Sequence, residues 1–360
     1  MKIIFDNIIF SLQKSGGISV YWRELINCVL SFSDITISFI EENDKNKNIF
    51  RNNLNIDSRN ILGKKLYITK KASRYRKIDL KISNYNFIFH SSYYRTLSKN
   101  VKKNNSVKEV VTVHDFTYEY FAKGLKKMIH TMQKKKAIKA ADVVLCISQN
   151  TKKDLLHFFP EFSNKDIRVV YNGVSSEYFK ISDVINDKDQ ISYFLFVGSR
   201  AAYKNFDFCV SAISQQNAKY RFKIVGPELD KKEIVTLNKF LLGRWDFVGN
   251  VENNKLNQLY NNAFALLYPS SYEGFGIPIV EAMKAGCPFI ALNASSIPEV
   301  SGDAGILLER LDFNLFNDAV SKLTKNRKEI VERGIERGND FSWEKCQEET
   351  MKIYKELYRQ

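Results

Sequence analysis

The chain has 360 residues, of which 44% are hydrophobic and 26% charged, a composition typical of a globular protein with two ordinary domains. No apolar run approaches the length that crosses a bilayer, and Met1 leads directly into a strand-like segment instead of a signal peptide, so we expect a cytosolic protein. The five cysteines are odd in number, scattered and nowhere in a C-x-x-C pair, which argues against disulfides and a zinc site.

Short β-branched and aromatic runs alternate with amphipathic segments, a pattern typical of α/β domains with mostly parallel sheets. In the first half the predicted strands are 2–5, 35–40, 87–90, 109–114, 143–147 and 167–170. The pattern restarts in the second half with 193–197, 222–225, 245–248, 264–268, 289–291 and 306–308. Residues 182–190 are polar and non-periodic, which indicates a linker. The sequence therefore predicts two Rossmann-like domains, at 1–180 and 190–342.

Two features of the first half could carry chemistry. Gly16 and Gly17 lie between a predicted strand and a helix, but a Gly-Gly pair alone predicts only a turn, and it lacks the spacing of a dinucleotide-binding loop. His114 ends a predicted strand, where it could donate a hydrogen bond to a ligand hydroxyl or shuttle a proton near neutral pH. A single histidine after a strand is more often structural, and His90 is a weaker candidate at the same edge.

Positive charge is concentrated in the first half, where 32 Lys and Arg face 16 Asp and Glu, against 23 and 24 in the second half. One basic stretch lies on a predicted helix that also carries Leu125, Met128, Ile129 and Met132; it comprises Lys123, Lys126, Lys127, Lys134, Lys135, Lys136 and Lys139. The other comprises Lys64, Lys65, Lys70, Lys71, Arg74, Arg76, Lys77 and Lys81. Each is either a solvated face or a surface attracted to anionic lipid. We expect no specific nucleic-acid binding, because aromatic interleaving and zinc-finger spacing are missing.

The first predicted strand of the second domain is followed by Gly198, Arg200 and Lys204. Ligands bind outside the carboxyl ends of strands in open α/β sheets, and two cations at such an end suit a diphosphate. Asp187 and Asp189 form a D-x-D pair, the pattern that holds Mg²⁺ or Mn²⁺, but no strand precedes them. We therefore expect no metal and no cofactor.

The most informative segment is 270–283, where two carboxylates stand eight residues apart around a glycine turn that opens a helix. Gly274 and Gly276 allow backbone to approach a ligand closely, and Pro278 suits the first helical position. The helix start attracts an anion, so Glu273 and Glu281 are better acceptors for neutral hydroxyl groups than partners of a phosphate. These residues predict a site for a nucleotide sugar.

The same segment resembles the E-x7-E signature of the retaining glycosyltransferases of family 4. The residues that match are Glu273, Gly274, Phe275, Gly276, Pro278, Glu281 and Ala282. The resemblance implies a GT-B fold, meaning two Rossmann-like domains with a cleft between them and a C-terminal helix, here about 343–360, that returns to the first domain. It also implies that the first domain binds the acceptor and the second the nucleotide sugar.

Roles for individual residues follow from the same resemblance. Arg200 and Lys204 would bind the diphosphate, Glu273 the sugar hydroxyls, Glu281 the ribose, and His114 the sugar near the reacting carbon. The other donor-binding positions would be Gly16, Gly17, Gly198, Val251, Gly274, Phe275, Gly276 and Ile277. In retaining members of the family the leaving phosphate is thought to take the acceptor proton, so no general base is required.

The implied reaction is transfer of a hexose from a UDP- or GDP-sugar to a hydroxyl of an acceptor glycan. The basic first half, together with the resemblance, favours a lipid-linked acceptor at the cytosolic face of an anionic membrane, in O-antigen or capsule synthesis. Two alternatives stay open. A GT-B protein can be a sugar-nucleotide epimerase or a phosphorylase, and a basic protein with an inactive sugar pocket could bind nucleic acid.

Overall fold

The computed structural model describes residues 1–41, 48–62, 74–181 and 192–360. The predicted linker, with Asp187 and Asp189, lies outside the described residues, as do Lys64, Lys65, Lys70 and Lys71 of the second basic stretch. The described chain forms two compact units. Unit 1 comprises 1–173 together with 343–360, and unit 2 comprises 174–342.

Unit 1 is built on a six-stranded parallel sheet in the order β2-β1-β3-β4-β5-β6. The strands are β1 (Lys2–Asp6), β2 (Thr36–Ile40), β3 (Asn86–Ser91), β4 (Ser106–Val113), β5 (Val143–Cys146) and β6 (Asp166–Val169). The helices that precede the linker are α1 (Ile8–Leu12), α2 (Gly17–Leu30), α3 (Ile49–Asn52), α4 (Lys99–Lys103), α5 (Thr117–Phe121), α6 (Gly124–Ala140) and α7 (Gln149–Phe158). Parallel strands require crossovers of this kind, and the helices supply them.

Unit 2 contains a second six-stranded parallel sheet, in the order β12-β11-β10-β7-β8-β9. Its strands are β7 (Tyr193–Val197), β8 (Arg221–Val225), β9 (Trp245–Gly249), β10 (Ala265–Tyr268), β11 (Phe289–Leu292) and β12 (Ile306–Leu308). Its helices are α8 (Phe206–Ser214), α9 (Lys231–Leu241), α10 (Asn253–Asn262), α11 (Ile277–Lys284), α12 (Ile297–Ser301), α13 (Phe313–Lys325) and α14 (Arg327–Gly338). This is the strand order of dinucleotide-binding Rossmann domains.

The last helix, α15 (Trp343–Arg359), completes the core of unit 1 after the chain has passed through unit 2. Its buried residues Trp343, Met351 and Tyr354 belong to the same apolar cluster as Phe5 and Trp22. The Tyr354 hydroxyl is hydrogen-bonded to Nδ1 of His90 in β3. The predicted return of the C-terminal helix to the first domain is therefore confirmed.

The fold confirms the predicted α/β class and both sheets. Each of the twelve predicted strands overlaps an observed strand, because strands covered on both faces read as short continuous apolar runs. Phe194 and Leu195 of β7 and Ile4 of β1 are fully buried. Within the described ranges, the structure contains no helix that has both the length and the apolar character of a membrane span.

Candidate active site

The order of strands in unit 2 fixes where a ligand can bind. β7 pairs with β8 on one side and with β10 on the other. The chain places β8 and β9 on the first side and then β10, β11 and β12 on the second, so the strand order reverses between β7 and β10. Ligands of open α/β sheets bind in the crevice that forms outside the carboxyl ends of the strands at such a reversal. The segments that follow β7 and β10 carry Lys204 and Glu273, so the structure places the two strongest motifs of the second half at this point.

Hydrogen bonds tie these two segments to each other. Asn205 adopts the left-handed conformation (φ 51°), and its Nδ2 donates to the Pro269 carbonyl at 2.7 Å and to the Ser271 hydroxyl at 2.8 Å. In return, the Ser271 amide donates to the Tyr203 carbonyl at 2.8 Å. Because three bonds hold the segments together, the side chains between them have fixed positions.

Lys204 and Glu273 meet directly in this region. Nζ of Lys204 lies 2.7 Å from Oε1 of Glu273, and the two side chains are only 12% and 15% exposed. The Tyr268 hydroxyl is also hydrogen-bonded to Glu273, and burial raises the pKa of this tyrosine well above its ordinary value. An ammonium group carries three donors, so Lys204 can keep Glu273 and still bind a phosphate oxygen.

The backbone of Glu273 is held in place by two serines. Its amide donates to Oγ of Ser295 at 2.8 Å, and its carbonyl accepts from Oγ of Ser296 at 2.9 Å. Ser295 has φ 50°, a conformation that few residues other than glycine adopt. Neither serine was identified from the sequence, because each lies more than twenty residues along the chain on the segment that follows β11.

Arg200 leaves β7 in a different direction from Lys204. Its Nε donates to Oε1 of Glu233 at 2.7 Å, and its Nη2 donates to the carbonyls of Pro227 and Glu228 at 2.8 and 2.6 Å. Nη1 is buried and has no hydrogen-bond partner among the described residues. Arg200 lines a cavity of about 550 Å³, together with Asn205, Asp207, Lys232, Glu233 and Thr236. A buried guanidinium nitrogen without a partner is a group that a bound anion would satisfy.

Glu233 is a third residue that the sequence motifs missed. It belongs to a capping box at the start of α9, where its side chain accepts from the Asp230 amide at 2.8 Å. The D-x-x-E spacing of Asp230 and Glu233 was a usable signal for the cap. Its contact with Arg200, however, depends on the adjacency of β7 and β8 in the sheet, which the local sequence does not reveal.

The glycine turn of segment 270–283 leads into α11 much as predicted. Gly276 has φ 99°, a conformation that L-residues rarely adopt, and the helix begins at Ile277. Pro278 therefore occupies the second helical position and not the first, a shift that costs no hydrogen bond because both positions lack an intrahelical acceptor. Gly274 is half-buried in the turn, whereas the Phe275 ring is buried against Phe341 in the interior of unit 2.

Glu281 lies one turn into α11, half-buried. Its Oε2 accepts from the Tyr260 hydroxyl at 2.9 Å, and Tyr178 provides a further hydrogen bond. Burial raises the pKa of Glu281 from 4.5 to about 7, although both tyrosine hydroxyls act in the opposite direction. Near pH 7 this carboxyl is therefore present in both protonation states, and it can donate to a hydroxyl or accept from one.

The raised pKa of Glu281 gives a stability prediction. In the unfolded chain the carboxyl ionises near 4.5, but the folded protein resists ionisation until about 7, so stability is lost as the pH rises between these values. Glu281→Gln cannot ionise and should be more stable than the wild type by about 1–3 kcal/mol near pH 8, with little difference near pH 4. Thermal melting at both pH values measures this. Glu336→Gln, at an exposed position of α14, is the control. An equal effect at both pH values would contradict the prediction.

Two of the remaining donor-binding candidates in unit 2 also follow strands. Gly198 comes directly after β7 with φ 125°, and a Cβ there would stand 3.8 Å from Nζ of Lys204. Gly226 comes directly after β8, and a Cβ at this position would lie 2.3 Å from the Gly198 carbonyl oxygen, so these two backbones approach each other closely. Val251 is half-buried just beyond the end of β9.

In unit 1, His114 follows β4 at the carboxyl edge of its sheet. Its ring packs edge-on against Tyr21, with centroids 5.0 Å apart, and the residue is 8% exposed. Burial lowers the pKa of His114 to about 4, partly opposed by Asp115 and reinforced by Lys134. The imidazole is therefore neutral at pH 7, which favours the predicted hydrogen-bonding role over the alternative of a proton shuttle.

Gly16 and Gly17 mark the start of α2, as the sequence indicated. Gly16 caps the helix without a side-chain hydrogen bond, and Gly17 is its first residue. The preceding loop is fixed by Asn48, whose Nδ2 donates to the Gln13 carbonyl at 2.9 Å and to Oγ of Ser19 at 3.0 Å. The structure thus brings these glycines to a helix start in unit 1 and places Gly198, Lys204 and Glu273 around one point in unit 2.

His90, the weaker histidine candidate, is a core residue. Its Nε2 is hydrogen-bonded to Oγ1 of Thr112 at 3.0 Å, its Nδ1 is bonded to Tyr354, and the ring is fully buried beside Trp22. Burial lowers the pKa of His90 to about 3, so it stays neutral. With both ring nitrogens bonded inside the core, His90 has no free group to offer a ligand.

The prediction for the basic helix is wrong at one residue, Lys134. We expected its side chain on a solvated or lipid-attracted surface, but it is fully buried on the inner side of α6. Its Nζ donates to Oε2 of Glu119 at 2.6 Å and to the Asp115 carbonyl at 2.7 Å. Burial tends to raise the pKa of Glu119, but the nearby His130 ring, whose Nδ1 lies 3.6 Å from Oε1 of Glu119, and the ammonium group of Lys134 prevail and lower this pKa to about 2. Lys134 thereby anchors the backbone that follows His114.

Comparison with known proteins agrees with this arrangement. Residues 15–178 match the family model described as Glycosyltransferase Family 4, and residues 177–340 match the model described as Glycosyl transferases group 1. Together the two matches span 15–340 of the 360 residues. The chain belongs to glycosyltransferase family 4.

Other glycosyltransferases are similar to this chain. O-antigen chain mannosyltransferase B of Escherichia coli is 27% identical over 273 residues, which are 69% of this chain and 70% of that protein. O-antigen chain mannosyltransferase RfbU of Salmonella typhimurium is 29% identical over 221 residues, 60% of each chain. An uncharacterised glycosyltransferase of Methanocaldococcus jannaschii is 27% identical over 369 residues and covers 99% of both.

Solved structures confirm the GT-B fold of this glycosyltransferase. Sucrose-phosphate synthase of Thermosynechococcus elongatus superposes with a TM-score of 0.75 at 18% identity and covers 100% of this chain and 99% of that one. HepE of Anabaena, solved in complex with UDP and glucose, superposes with a TM-score of 0.72 at 16% identity over 98% and 99% of the two chains. At these identities the likeness establishes the fold alone.

Proposed function

We propose that this glycosyltransferase moves a hexose from a UDP- or GDP-sugar to a hydroxyl of an acceptor glycan, with retention of configuration at the transferred carbon. The observation that carries the proposal is the pairing of Lys204 with Glu273 where the strand order reverses. One cation and one carboxylate, both largely removed from solvent, match a diphosphate and the hydroxyls of the sugar next to it. Similarity to O-antigen mannosyltransferases supports a role in surface polysaccharide synthesis.

In the proposed reaction the bond between the sugar and the nucleoside diphosphate breaks, and negative charge grows on the departing phosphate oxygen. Lys204 and Arg200 would stabilise that charge, and Nη1 of Arg200 is already buried without a partner among the described residues. Fixed cations of this kind lower the barrier because they bind the transition state more strongly than the ground state. We propose that they take the part a divalent ion plays in other glycosyltransferases, with no cofactor.

The other site residues would position the donor. Glu273 would accept hydrogen bonds from the sugar, and Glu281, with its pKa of about 7, would exchange hydrogen bonds with the ribose. His114 would donate to a hydroxyl of the transferred sugar, a role that suits a neutral imidazole. The leaving phosphate would accept the proton of the attacking hydroxyl, so no side chain is assigned as general base.

The donor can be identified by thermal stabilisation. A ligand that binds only the folded state stabilises it by about 2.7 kcal/mol at a concentration of a hundred times Kd. A panel of GDP-mannose, UDP-glucose, UDP-galactose and UDP-N-acetylglucosamine should contain at least one compound that raises Tm, and GDP-mannose is tested first because the named relatives are mannosyltransferases. Glu273→Ala should make the increase smaller, because it removes a ligand of the sugar.

The same experiment separates the alternatives. Stabilisation by duplex DNA and by no nucleotide sugar would favour a basic nucleic-acid-binding protein and overturn the proposal. A stabilising donor that is converted to its epimer without any acceptor would indicate a sugar-nucleotide epimerase. Transfer of the sugar to a short glycan, with release of the nucleoside diphosphate, is the result we expect.

We further propose that the acceptor is linked to a lipid and that the enzyme works at the cytosolic face of an anionic membrane. The support is the charge of the first half of the chain, in which Lys and Arg outnumber Asp and Glu by two to one. Basic residues near an anionic surface attract it by about 1 kcal/mol each. Several exposed lysines on one unit are therefore enough for reversible association.

A further inference from the structure

One face of α6 exposes apolar side chains that no other described part of the chain covers. Leu125, Met128, Ile129 and Met132 are 70%, 51%, 41% and 48% exposed. Their spacing of i, i+3, i+4 and i+7 puts all four on one side of the helix. Phe121, which ends α5 just before α6 begins, is also exposed, at 46%. We call these five residues the apolar stripe.

The apolar stripe is on the opposite side of α6 from the protein interior. The residues that α6 buries are His130, Gln133, Lys134, Ala137 and Ile138. They form their own stripe at helical spacing, and it contains a lysine, a histidine and a glutamine. The helix thus turns its more polar stripe inward, where Glu119 binds Lys134 and Tyr93 binds His130, and its more apolar stripe outward. A contiguous exposed apolar face of this kind marks an interaction surface.

Lysines extend the same outer face. Lys136 and Lys139 stand eleven and fourteen positions after Leu125, which continues the line of the stripe by two further turns, and both are exposed. Lys123 and Lys126 are exposed near the start of α6, and the helix contains no acidic residue. An exposed helix face with large apolar side chains and lysines around them is typical of segments that lie in a membrane interface.

We propose that α6 lies in the interface of an anionic bilayer, with the apolar stripe inserted among the lipid headgroups and acyl chains and the lysines bonded to phosphates. The membrane surface would bring the enzyme to a lipid-linked acceptor, and this use of the surface rests on the proposed function. A second copy of the chain fits the face less well. A parallel two-fold contact would bring Lys136 and Lys139 against their own copies, and an antiparallel one would bring them against the apolar stripe.

Vesicle binding tests the proposal. The purified enzyme is mixed with vesicles of phosphatidylcholine alone, or with about a third of phosphatidylglycerol, and the bound fraction is measured by flotation at low and physiological salt. We expect binding to the anionic vesicles to be at least tenfold stronger. A variant with Leu125→Gln, Met128→Gln, Ile129→Gln and Met132→Gln should lose about a hundredfold in partitioning at both salt concentrations, because less apolar surface is buried.

The charge contribution is tested separately. A variant with Lys126→Gln, Lys136→Gln and Lys139→Gln should lose about fivefold per lysine at low salt and less at high salt. The matched control is Val235→Gln with Leu242→Gln on α9 and its C-terminal end, where the two side chains are 65% and 83% exposed. This control should bind like the wild type. All variants change exposed residues, so their Tm should stay unchanged.

A direct contact measurement completes the test. Ile129→Trp adds one tryptophan on the stripe, and brominated phospholipid should quench its emission. Two results would overturn the proposal. One is that the variant with the four apolar-to-glutamine changes, called the stripe variant below, binds vesicles as strongly as the wild type. The other is that emission from the tryptophan at position 129 is not quenched. A wild type that is dimeric and binds no vesicles would also overturn it if the stripe variant is monomeric, since the face would then be a self-association surface.

The closing comparison separates this inference from the proposed function. The wild type and the stripe variant should transfer sugar to a short water-soluble glycan at the same rate. Transfer to a lipid-linked acceptor in vesicles should be slower in the stripe variant, in proportion to its loss of membrane binding. A wild type that binds vesicles but transfers sugar to neither acceptor would refute the function and leave the membrane surface standing. If the stripe variant transferred sugar to both acceptors as fast as the wild type does, the proposed membrane surface would be refuted instead.

Discussion

Replacing Arg200 with alanine is expected to lower kcat by about a hundredfold or more, with a much smaller change in KM. Removing one fixed group that stabilises transition-state charge typically has this effect. Arg200 is only 6% exposed, and Glu233 and two backbone carbonyls hold it, so it is positioned before the donor arrives. Glu273→Ala should have an effect of similar size, because it removes both a sugar ligand and the partner of Lys204. Steady-state kinetics with the identified donor measure both.

The control variant changes an arginine at the opposite end of the same sheet. Arg221 begins β8 and pairs with Asp246 at 2.8 Å, far along the strands from their carboxyl ends. Arg221→Ala should change kcat less than threefold, by contrast with the two site variants. Arg200→Lys should fall between wild type and alanine, because it keeps the charge but loses the forked geometry. Near-normal turnover in both Arg200→Ala and Glu273→Ala would remove the assignment of these residues.

Lys134→Met is expected to be the most destabilising single substitution considered, at about 3–5 kcal/mol. It would leave the Glu119 carboxylate buried at 2% exposure without its cation and would also remove the bond to the Asp115 carbonyl. The double variant Lys134→Met with Glu119→Gln should be less destabilised than the sum of the two single variants, because no buried charge remains. Lys135→Met, one residue further along and 51% exposed, should change stability by less than about 0.5 kcal/mol.

Unit 1 can be followed by its own fluorescence in this experiment. The chain has three tryptophans, of which Trp22 and Trp343 are buried in the core of unit 1 and Trp245 belongs to unit 2. In a Trp245→Phe background, urea denaturation monitored by tryptophan emission therefore reports unit 1 alone. A Lys134→Met variant with the same denaturation midpoint as Lys135→Met would show that the buried pair contributes nothing to stability.

The framework of both sheets could be predicted from the sequence because it rests on local patterns. Strands such as β7 are apolar throughout, since helices cover both faces of a parallel sheet, and the segments between them alternate at helical spacing. The helix start after Gly276 followed from glycine and proline chemistry, with an error of one position at Pro278. Both E-x7-E carboxylates were found as candidates for the same reason, since the turn and the helix that carry them lie within fourteen residues.

The rest depends on contacts between distant parts of the chain. Glu233 reaches Arg200 only because β7 and β8 are neighbours, and Ser296 holds Glu273 from the segment after β11. Which face of α6 points inward also depends on such contacts, because helical periodicity alone would favour burial of the face that carries Leu125, Met128, Ile129 and Met132. The buried Glu119 carboxylate reverses this orientation, and its position relative to Lys134 depends on the packing of α5 against α6.

The discontinuity of unit 1 affects the order in which the protein folds. Ribosomes make α15 only after the whole of unit 2, yet its residues Trp343, Met351 and Tyr354 fill the core around Phe5 and Trp22, which are made long before it. Unit 2 is continuous from 174 to 342 and can close its core as soon as it has left the exit tunnel. During translation, therefore, the first part of unit 1 must wait for α15, and a nascent chain that stalls before Trp343 would present an unfinished apolar core to chaperones.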